Sequence, residues 1–169
     1  AFISGGAKNG KSTLGQDLAV HLAAGGTHYY VATMISADAE DDERIRRHIA
    51  DRAGLDFETI ECPRRILSCL DTTDRNGVFL LDSVTALLQN EIFPPEKNYA
   101  LDLPAADRCA RELLEFVRSV RSAVLVSDYI FSDAGEYDPM TEQYRRALAG
   151  IDRMLARECD TVVELAAGR

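Results

Sequence analysis

The sequence predicts an α/β fold of three layers, in which helices cover both faces of a mostly parallel β-sheet. Two observations support this prediction. Short apolar runs of the kind that form buried strands alternate with longer segments whose apolar residues recur at helical spacing. In addition, the first strand leads into the glycine-rich segment "GGAKNGKS" at residues 5–12 and then into a helix, which is the order of a phosphate-binding loop.

The elements before residue 62 follow from local patterns. β-branched and aromatic residues favour the strands, and the pair Gly25-Gly26 ends the first helix. The acidic segment "SADAEDDE" at 36–43 is predicted to be a loop, after which Ile45 and Ile49 recur at helical spacing and are expected to pack inward. The predicted elements are a strand at 1–4, a helix at 11–24, a strand at 29–34, a helix at 44–53 and a strand at 57–62.

In the second half of the chain, the continuous apolar run "GVFLLDS" indicates a strand buried on both faces. The pair Pro94-Pro95 stops the helix that follows, and 93–104 is predicted to be irregular. Asp102 is expected to cap the next helix and Pro104 to open it. The predicted elements are a strand at 77–83, helices at 83–92 and 104–121, a strand at 123–128, a helix at 139–160 and a strand at 161–166.

Length and composition limit the possible classes of protein. A chain of 169 residues with 46% hydrophobic and 28% charged residues is expected to form one globular domain, residues 1–169. No apolar run is long enough for a membrane span, and no secretory signal is expected. The net charge of −9 argues against nucleic acid as a partner. Four cysteines without a CxxC pair are interpreted as reduced core thiols of a cytoplasmic protein, and His21 and His28 as capping or surface residues.

The segment at 5–12 carries the full G-x-x-x-x-G-K-[ST] pattern of a nucleotide-binding P-loop. Glycines let successive backbone N–H groups turn toward phosphates, and the helix N-terminus adds a partial positive charge. Lys11 is expected to neutralise the β- and γ-phosphates, and the Ser12 hydroxyl to bind Mg²⁺. A chance match is the alternative, against which the flanking strand and helix argue. The predicted nucleotide-binding residues here are Gly5, Gly6, Ala7, Lys8, Asn9, Gly10, Lys11 and Ser12.

A P-loop protein also needs a carboxylate at the end of a neighbouring buried strand to support the metal ion. Asp82 follows the apolar run "VFLL" and is the preferred candidate, with Asp128 at the end of "AVLVSD" as the competitor. Asp82 could also cap the helix that follows its strand, and the two roles are compatible.

The segment "ERIRRHIADR" at 43–52 places one histidine among four arginines. On a helix, Arg44, His48 and Arg52 are four residues apart and share one face. A solvated basic face explains this pattern without any function. A nucleophilic site explains it too, because neighbouring cations disfavour the imidazolium form and would stabilise charge on a phosphate under attack.

Beyond these motifs, the chain resembles the bifunctional adenosylcobinamide kinase / adenosylcobinamide-phosphate guanylyltransferase family of cobalamin biosynthesis. The likeness extends over most of the chain, and the order and spacing of its motifs make it specific. Five segments carry it: "ISGGAKNGKS", "YYVATM" with the following "RIRRHIADR", "FETIECP", "LLDSVTALLQNEIF" and "YRRALAGIDRMLA". The resemblance implies a RecA-like P-loop NTPase fold and a homotrimer.

The resemblance also implies the reaction. The family phosphorylates adenosylcobinamide from a nucleoside triphosphate, GTP or ATP, and then transfers GMP from GTP through a guanylyl-histidine. His48 falls at the guanylylated position, so the implied catalytic residues are His48, Lys11 and Asp82, with Arg44, Arg47 and Arg52 as phosphate partners. Ser127-Asp128-Tyr129 departs from the family's T-N-E. This departure in the 127–139 loop keeps two alternatives open: a P-loop kinase for another small molecule, and a non-catalytic nucleotide-binding paralogue.

Overall fold

The computed structural model describes residues 1–130 and 135–166. Its centre is a six-stranded sheet, in which every paired strand is parallel to its neighbour and the order is β3-β2-β4-β5-β1-β6. The strands are β1 (Phe2–Gly5), β2 (His28–Ala32), β3 (Glu58–Glu61), β4 (Val78–Asp82), β5 (Ser122–Asp128) and β6 (Val162–Leu165). The helices are α1 (Lys11–Ala23), α2 (Ala39–Asp51), α3 (Val84–Ile92), α4 (Leu103–Ser119) and α5 (Pro139–Glu158), with short 3₁₀ turns at Ile66–Asp71 and Pro95–Lys97.

Two apolar cores lie on opposite faces of this sheet, which confirms the three-layer prediction. The smaller core lies under α1, and the larger one is closed by α3, α4 and α5. Strand β4 serves both: Val78 and Leu80 point into the smaller core, whereas Phe79 and Leu81 point into the larger one. Because both faces of β4 are covered, its residues from Val78 to Leu81 are all apolar, as the sequence indicated.

The segment at 36–43 was predicted wrongly as a loop, because α2 begins at Ala39. The Asp38 carboxylate caps this helix by accepting the N–H groups of Glu40 at 2.9 Å and Asp41 at 3.0 Å. Acidic side chains in the first turn also interact favourably with the positive end of the helix dipole. The acidic run therefore starts the helix that carries His48.

Two smaller expectations also fail. The Asp102 carboxylate makes no cap bond to α4 and instead accepts a hydrogen bond from Lys97 Nζ at 2.6 Å. His28 is buried, with Nδ1 2.9 Å from the Gly26 carbonyl and Nε2 2.6 Å from the Leu55 carbonyl, whereas His21 is exposed. All four cysteines are free, and Cys62, Cys69 and Cys109 are buried, as predicted for core thiols. In the described part of the chain, no helix has the length and apolarity of a membrane span.

Candidate nucleotide-binding site

The glycine-rich segment forms the turn between β1 and α1, as the motif requires. Gly10 adopts φ 81°, a left-handed conformation that glycine accommodates without strain, and it precedes the first residue of α1. At the start of the turn, a Cβ on Gly5 would lie 2.7 Å from the Leu165 carbonyl oxygen of β6. Backbone geometry therefore requires glycine at two positions of the motif, Gly5 and Gly10.

Lys11 is the first residue of α1, and its side chain is 5% exposed. Its Nζ donates to the Gly6 carbonyl at 2.5 Å and lies 2.6 Å from Asp128 Oδ1. Strand pairing brings these groups together, because Gly5 and Asp128 are register partners on β1 and β5. The carboxylate that contacts the P-loop lysine is therefore Asp128, which the sequence offered as the competing candidate for supporting the metal ion.

Asp82 lies at the end of β4, one strand further from the P-loop. Its Oδ2 accepts a hydrogen bond from the Tyr30 hydroxyl at 2.8 Å. Burial and this carboxylate raise the pKa of Tyr30 far above its usual value, so the phenol remains a donor. The alternative role of Asp82 as a helix cap is filled by Ser83, whose Oγ accepts the Ala86 N–H at 3.2 Å.

His48 lies on the half-buried stripe of α2, with a side chain 22% exposed. Its Nδ1 is buried without a hydrogen-bond partner and lies 3.6 Å from Asp82 Oδ2, which is longer than a hydrogen bond. The predicted inward stripe needs correction, because Ile49 is 51% exposed and only Ile45 is half-buried. The half-buried positions of α2 are Asp41, Ile45 and His48, and Arg52, which caps the C-terminus of the helix, is also half-buried.

The arginines of α2 and its C-cap, Arg52, differ in their contacts. Arg44 lies 4.0 Å from Asp128 Oδ2. Arg52 stacks its guanidinium 4.3 Å from the centre of the Tyr30 ring and donates to Thr59 Oγ1 at 3.3 Å. Arg47 is exposed at the rim of the cavity beside the P-loop. Only Arg44 and Arg47 thus border the phosphate loop, and Arg52 lies on the other side of His48.

Two cavities meet at His48. The phosphate cavity, about 360 Å³, is lined by the P-loop residues from Ala7 to Ser12 together with side chains of α2. The apolar cavity, about 340 Å³, lies between α2 and the ends of β2 and β3. Its walls include Met34, Ile35, Ile45, Ile49 and Pro63. Arg44, His48 and Asp82 line both cavities, so the histidine lies at the boundary between a polar and an apolar compartment.

The phosphate cavity also contains the oxygen donors that a Mg²⁺ ion needs. Ser12, Asp82 and Asp128 line it, although among the described residues no three carboxylate, thiol or imidazole groups cluster as a metal site. Mg²⁺ is usually held by one or two protein oxygens, with waters and substrate phosphates completing the shell. The donor set fits that mode of binding. Ser12 and Asp82 are the residues that would hold the ion, because Asp128 is already paired with Lys11.

Sequence reasoning missed several residues around the site. Tyr30 donates to Asp82, Thr85 Oγ1 accepts the Asp128 N–H at 2.8 Å, and Asp152 Oδ1 accepts a hydrogen bond from Ser127 Oγ at 2.8 Å. Tyr30 lies within a run read only as a buried strand, and Thr85 and Asp152 lie within segments read only as helices. For Thr85, the available signal was a hydroxyl group among the apolar residues at the start of α3. Residues 131–134 of the altered 127–139 loop lie outside the described part of the chain.

A parallel sheet whose first strand enters a P-loop, with a buried lysine and two strand-end carboxylates lining the same cavity, defines a P-loop protein of the NTPase-like fold. The family model for cobinamide kinase / cobinamide phosphate guanyltransferase matches residues 1–169, the whole chain, and the chain belongs to that family. Comparison with curated proteins gave no match. Family membership confirms the enzyme class and the pair of activities predicted from the resemblance: a kinase and guanylyltransferase of cobalamin biosynthesis.

Proposed function

We propose that both activities use one composite site, in which the P-loop holds the triphosphate and His48 accepts GMP. The observation that carries this proposal is the position of His48 at the boundary of the two cavities. A nucleotide with its phosphates on the P-loop side and its base on the apolar side has its α-phosphate at that boundary. In that pose the α-phosphate would lie beside His48, which supports the histidine as the proposed nucleophile.

On the P-loop side, Lys11 is the phosphate-binding cation. In the free protein its charge is balanced by Asp128, and an incoming β- or γ-phosphate would take over that role. Mg²⁺ held by Ser12 and Asp82 would neutralise charge on the phosphate oxygens. Arg44 and Arg47 border the same space and are proposed to bind the remaining oxygens.

Guanylyl transfer then proceeds from the imidazole. Asp82 Oδ2 faces Nδ1 and would accept an N–H there, which leaves the Nε2 lone pair for the phosphorus. Nε2 forms a bond to the α-phosphorus as the bond to the bridging oxygen breaks, and pyrophosphate leaves. A phosphate oxygen of cobinamide phosphate next attacks the same phosphorus, the N–P bond breaks, and the imidazole is returned neutral.

The apolar cavity supports GTP as the guanylyl donor. Its isoleucine, methionine and proline side chains suit the faces of a planar base, and Glu61 lines it from the end of β3. A carboxylate accepts the N1–H and 2-amino hydrogens of guanine, whereas adenine presents an acceptor at N1 and would be repelled. We propose that Glu61 selects guanine for this step.

The assembly and location follow the family resemblance. We propose a homotrimer, which light scattering of the purified chain would test. A cytoplasmic location is proposed as well, supported by four free cysteines, because thiols persist in reducing compartments.

Labelling with α-³²P-GTP and Mg²⁺ tests the proposal for His48. The expected result is an acid-labile, base-stable protein adduct that disappears in His48→Ala and persists in His21→Ala, an exposed histidine on α1. GTP binding without an adduct would favour a kinase for another small molecule or a non-catalytic paralogue. An adduct that survives His48→Ala would place the nucleophile elsewhere.

The kinase half is tested separately with adenosylcobinamide and γ-labelled nucleotide. Phosphate transfer is expected to vanish in Lys11→Ala and to persist in Lys97→Ala, an exposed lysine paired with Asp102. A wild-type protein that labels His48 but does not phosphorylate adenosylcobinamide would mean that the altered 127–139 loop has changed the acceptor.

A further inference from the structure

A buried carboxylate without an assigned role lies behind the P-loop lysine. Asp152 on α5 is 6% exposed, and its Oδ1 accepts a hydrogen bond from Ser127 Oγ at 2.8 Å. Its second oxygen, Oδ2, is also buried and has no hydrogen-bond partner in the described chain. An ionised carboxylate with one oxygen unsatisfied is costly in such a place, whereas a neutral carboxylic acid is tolerated.

Two hydroxyl groups connect Asp152 to the strand end that holds Lys11. Ser127 Oγ lies 3.4 Å from Thr85 Oγ1, and Thr85 Oγ1 accepts the Asp128 N–H at 2.8 Å. Asp128 Oδ1 in turn contacts Lys11 Nζ at 2.6 Å. The path therefore joins α5, β5 and α3 to the phosphate-binding lysine of α1.

We propose that Asp152 is a positioning residue for the P-loop and that it acts in its protonated form. As a neutral acid protonated on Oδ1, Asp152 would donate to Ser127 Oγ, the reverse of the hydrogen bond that the ionised carboxylate accepts from Ser127. Asp128 would then remain the single negative charge that a nucleotide phosphate must replace at Lys11. When Asp152 ionises, a second negative charge lies behind Asp128, and phosphate binding at Lys11 becomes less favourable. The proposal rests on the proposed role of Lys11.

The charges around Asp152 agree with this account. Burial, followed by the neighbouring Asp128, raises the pKa of Asp152 to about 7, although the Ser127 hydrogen bond acts in the opposite direction. On its own helix, burial and the charges of Asp128 and Asp152 raise the pKa of Tyr144, so that this phenol remains neutral. Lys11 on α1 and Arg44 on α2 are the cations that face Asp128.

Thermodynamic linkage then predicts that the protein takes up protons when it binds nucleotide. Because nucleotide phosphates favour the neutral acid, binding must raise the fraction of protonated Asp152, and affinity must fall as the pH rises through the pKa of this group. An ionised Asp152 is expected to weaken binding about fivefold, the factor that corresponds to one net interaction of hydrogen-bond strength.

The test is calorimetric titration of the full chain with the β,γ-imido analogue of GTP and Mg²⁺, from pH 6 to 9 and in buffers of different ionisation enthalpy. The wild type is expected to take up protons near neutral pH and to lose about fivefold in affinity toward pH 9 relative to Asp152→Asn. In Asp152→Asn, a neutral isostere, that uptake should be absent while binding at pH 6 is kept. Asp160→Asn, an exposed acid just beyond α5, should behave as wild type.

Two results would overturn the proposal. One is an Asp152→Asn variant that is folded and has the wild-type pH profile and proton uptake, or that fails to bind at pH 6. The other is a ¹³C-carboxyl resonance of Asp152 in the wild type that titrates near pH 4 rather than near neutrality. This measurement does not depend on whether the variant folds. If nucleotide binding proves independent of Lys11, the proposed function fails, whatever Asp152 does.

Discussion

Replacing Asp128 by asparagine tests the ionic arrangement of the free P-loop. Lys11 is 5% exposed and Asp128 19% exposed, so water screens their 2.6 Å contact poorly. The variant keeps the shape of the side chain but leaves the buried ammonium with the Gly6 carbonyl at 2.5 Å and no counter-charge. Breaking a fully buried pair costs about 3–5 kcal/mol, and the partial exposure of Asp128 reduces this to an expected loss of about 2–3 kcal/mol.

The same change should strengthen nucleotide binding. In the wild type, a phosphate must displace Asp128 from Lys11, whereas in Asp128→Asn it meets an uncompensated cation. If half of the lost stability is recovered in the complex, affinity rises about tenfold, because about 1.4 kcal/mol corresponds to that factor. The free variant is therefore expected to melt about 5–10 °C below the wild type, with a smaller difference when nucleotide is present.

Thermal unfolding with and without a GTP analogue, together with calorimetric affinity, measures both effects. Asp17→Asn is the matched control, since Asp17 is exposed on the same helix as Lys11. Unchanged stability of free Asp128→Asn combined with weaker nucleotide binding would refute the reasoning, because it would make Asp128 a ligand of the bound nucleotide complex instead of the counterion of Lys11.

Three further changes have defined outcomes. In urea unfolding, Asp152→Asn should stabilise the free protein by up to about 4 kcal/mol at pH 8 but little at pH 4. The reason is that a carboxyl group whose pKa rises from 3.8 to about 7 on folding lowers the stability of the folded state as the pH rises between these values. An equal effect at both pH values would contradict this. Glu61→Gln should reduce the preference for GTP over ITP in adduct formation about 10- to 100-fold, and unchanged preference would exclude Glu61 from base selection. Gly5→Ala should destabilise the fold by about 1–3 kcal/mol through its clash with the Leu165 carbonyl, whereas Gly150→Ala, with nothing within 4 Å, should be neutral or gain up to about 1 kcal/mol in the same unfolding assay.

Much of the fold and part of the site could be predicted because their signals are local. The strand β4 showed its two-sided burial as a continuous apolar run, and the P-loop showed its backbone requirements at Gly5 and Gly10. Which of the two strand-end aspartates, Asp82 or Asp128, lies beside Lys11 depends on strand order, which no single strand encodes. Sequence alone could not show that β5 lies between β1 and β4.

The start of α2 shows a different limit of prediction. An acidic run is typical of a loop, and only the capping bonds of Asp38 make it the first turn of a helix. Asp152 was hidden for a third reason. A carboxylate in an amphipathic helix is expected on the solvent side, and its burial depends on the partner Ser127, which lies 25 residues away in the chain.

The ionic arrangement bears on how the proposed composite site would serve two reactions. In that proposal, a chain of net charge −9 binds a polyanion and also releases it, because the nucleoside diphosphate left by phosphate transfer would have to make way for GTP. In the free protein, Asp128 balances the charge of Lys11, and Arg44 lies near the same carboxylate. The affinity for nucleotide therefore depends on the difference in free energy between two states. In the free state Lys11 is paired with a carboxylate, and in the bound state it is paired with phosphates. A smaller difference makes ligand exchange easier, so the carboxylates behind the P-loop suit an enzyme that must exchange nucleotides between its half-reactions.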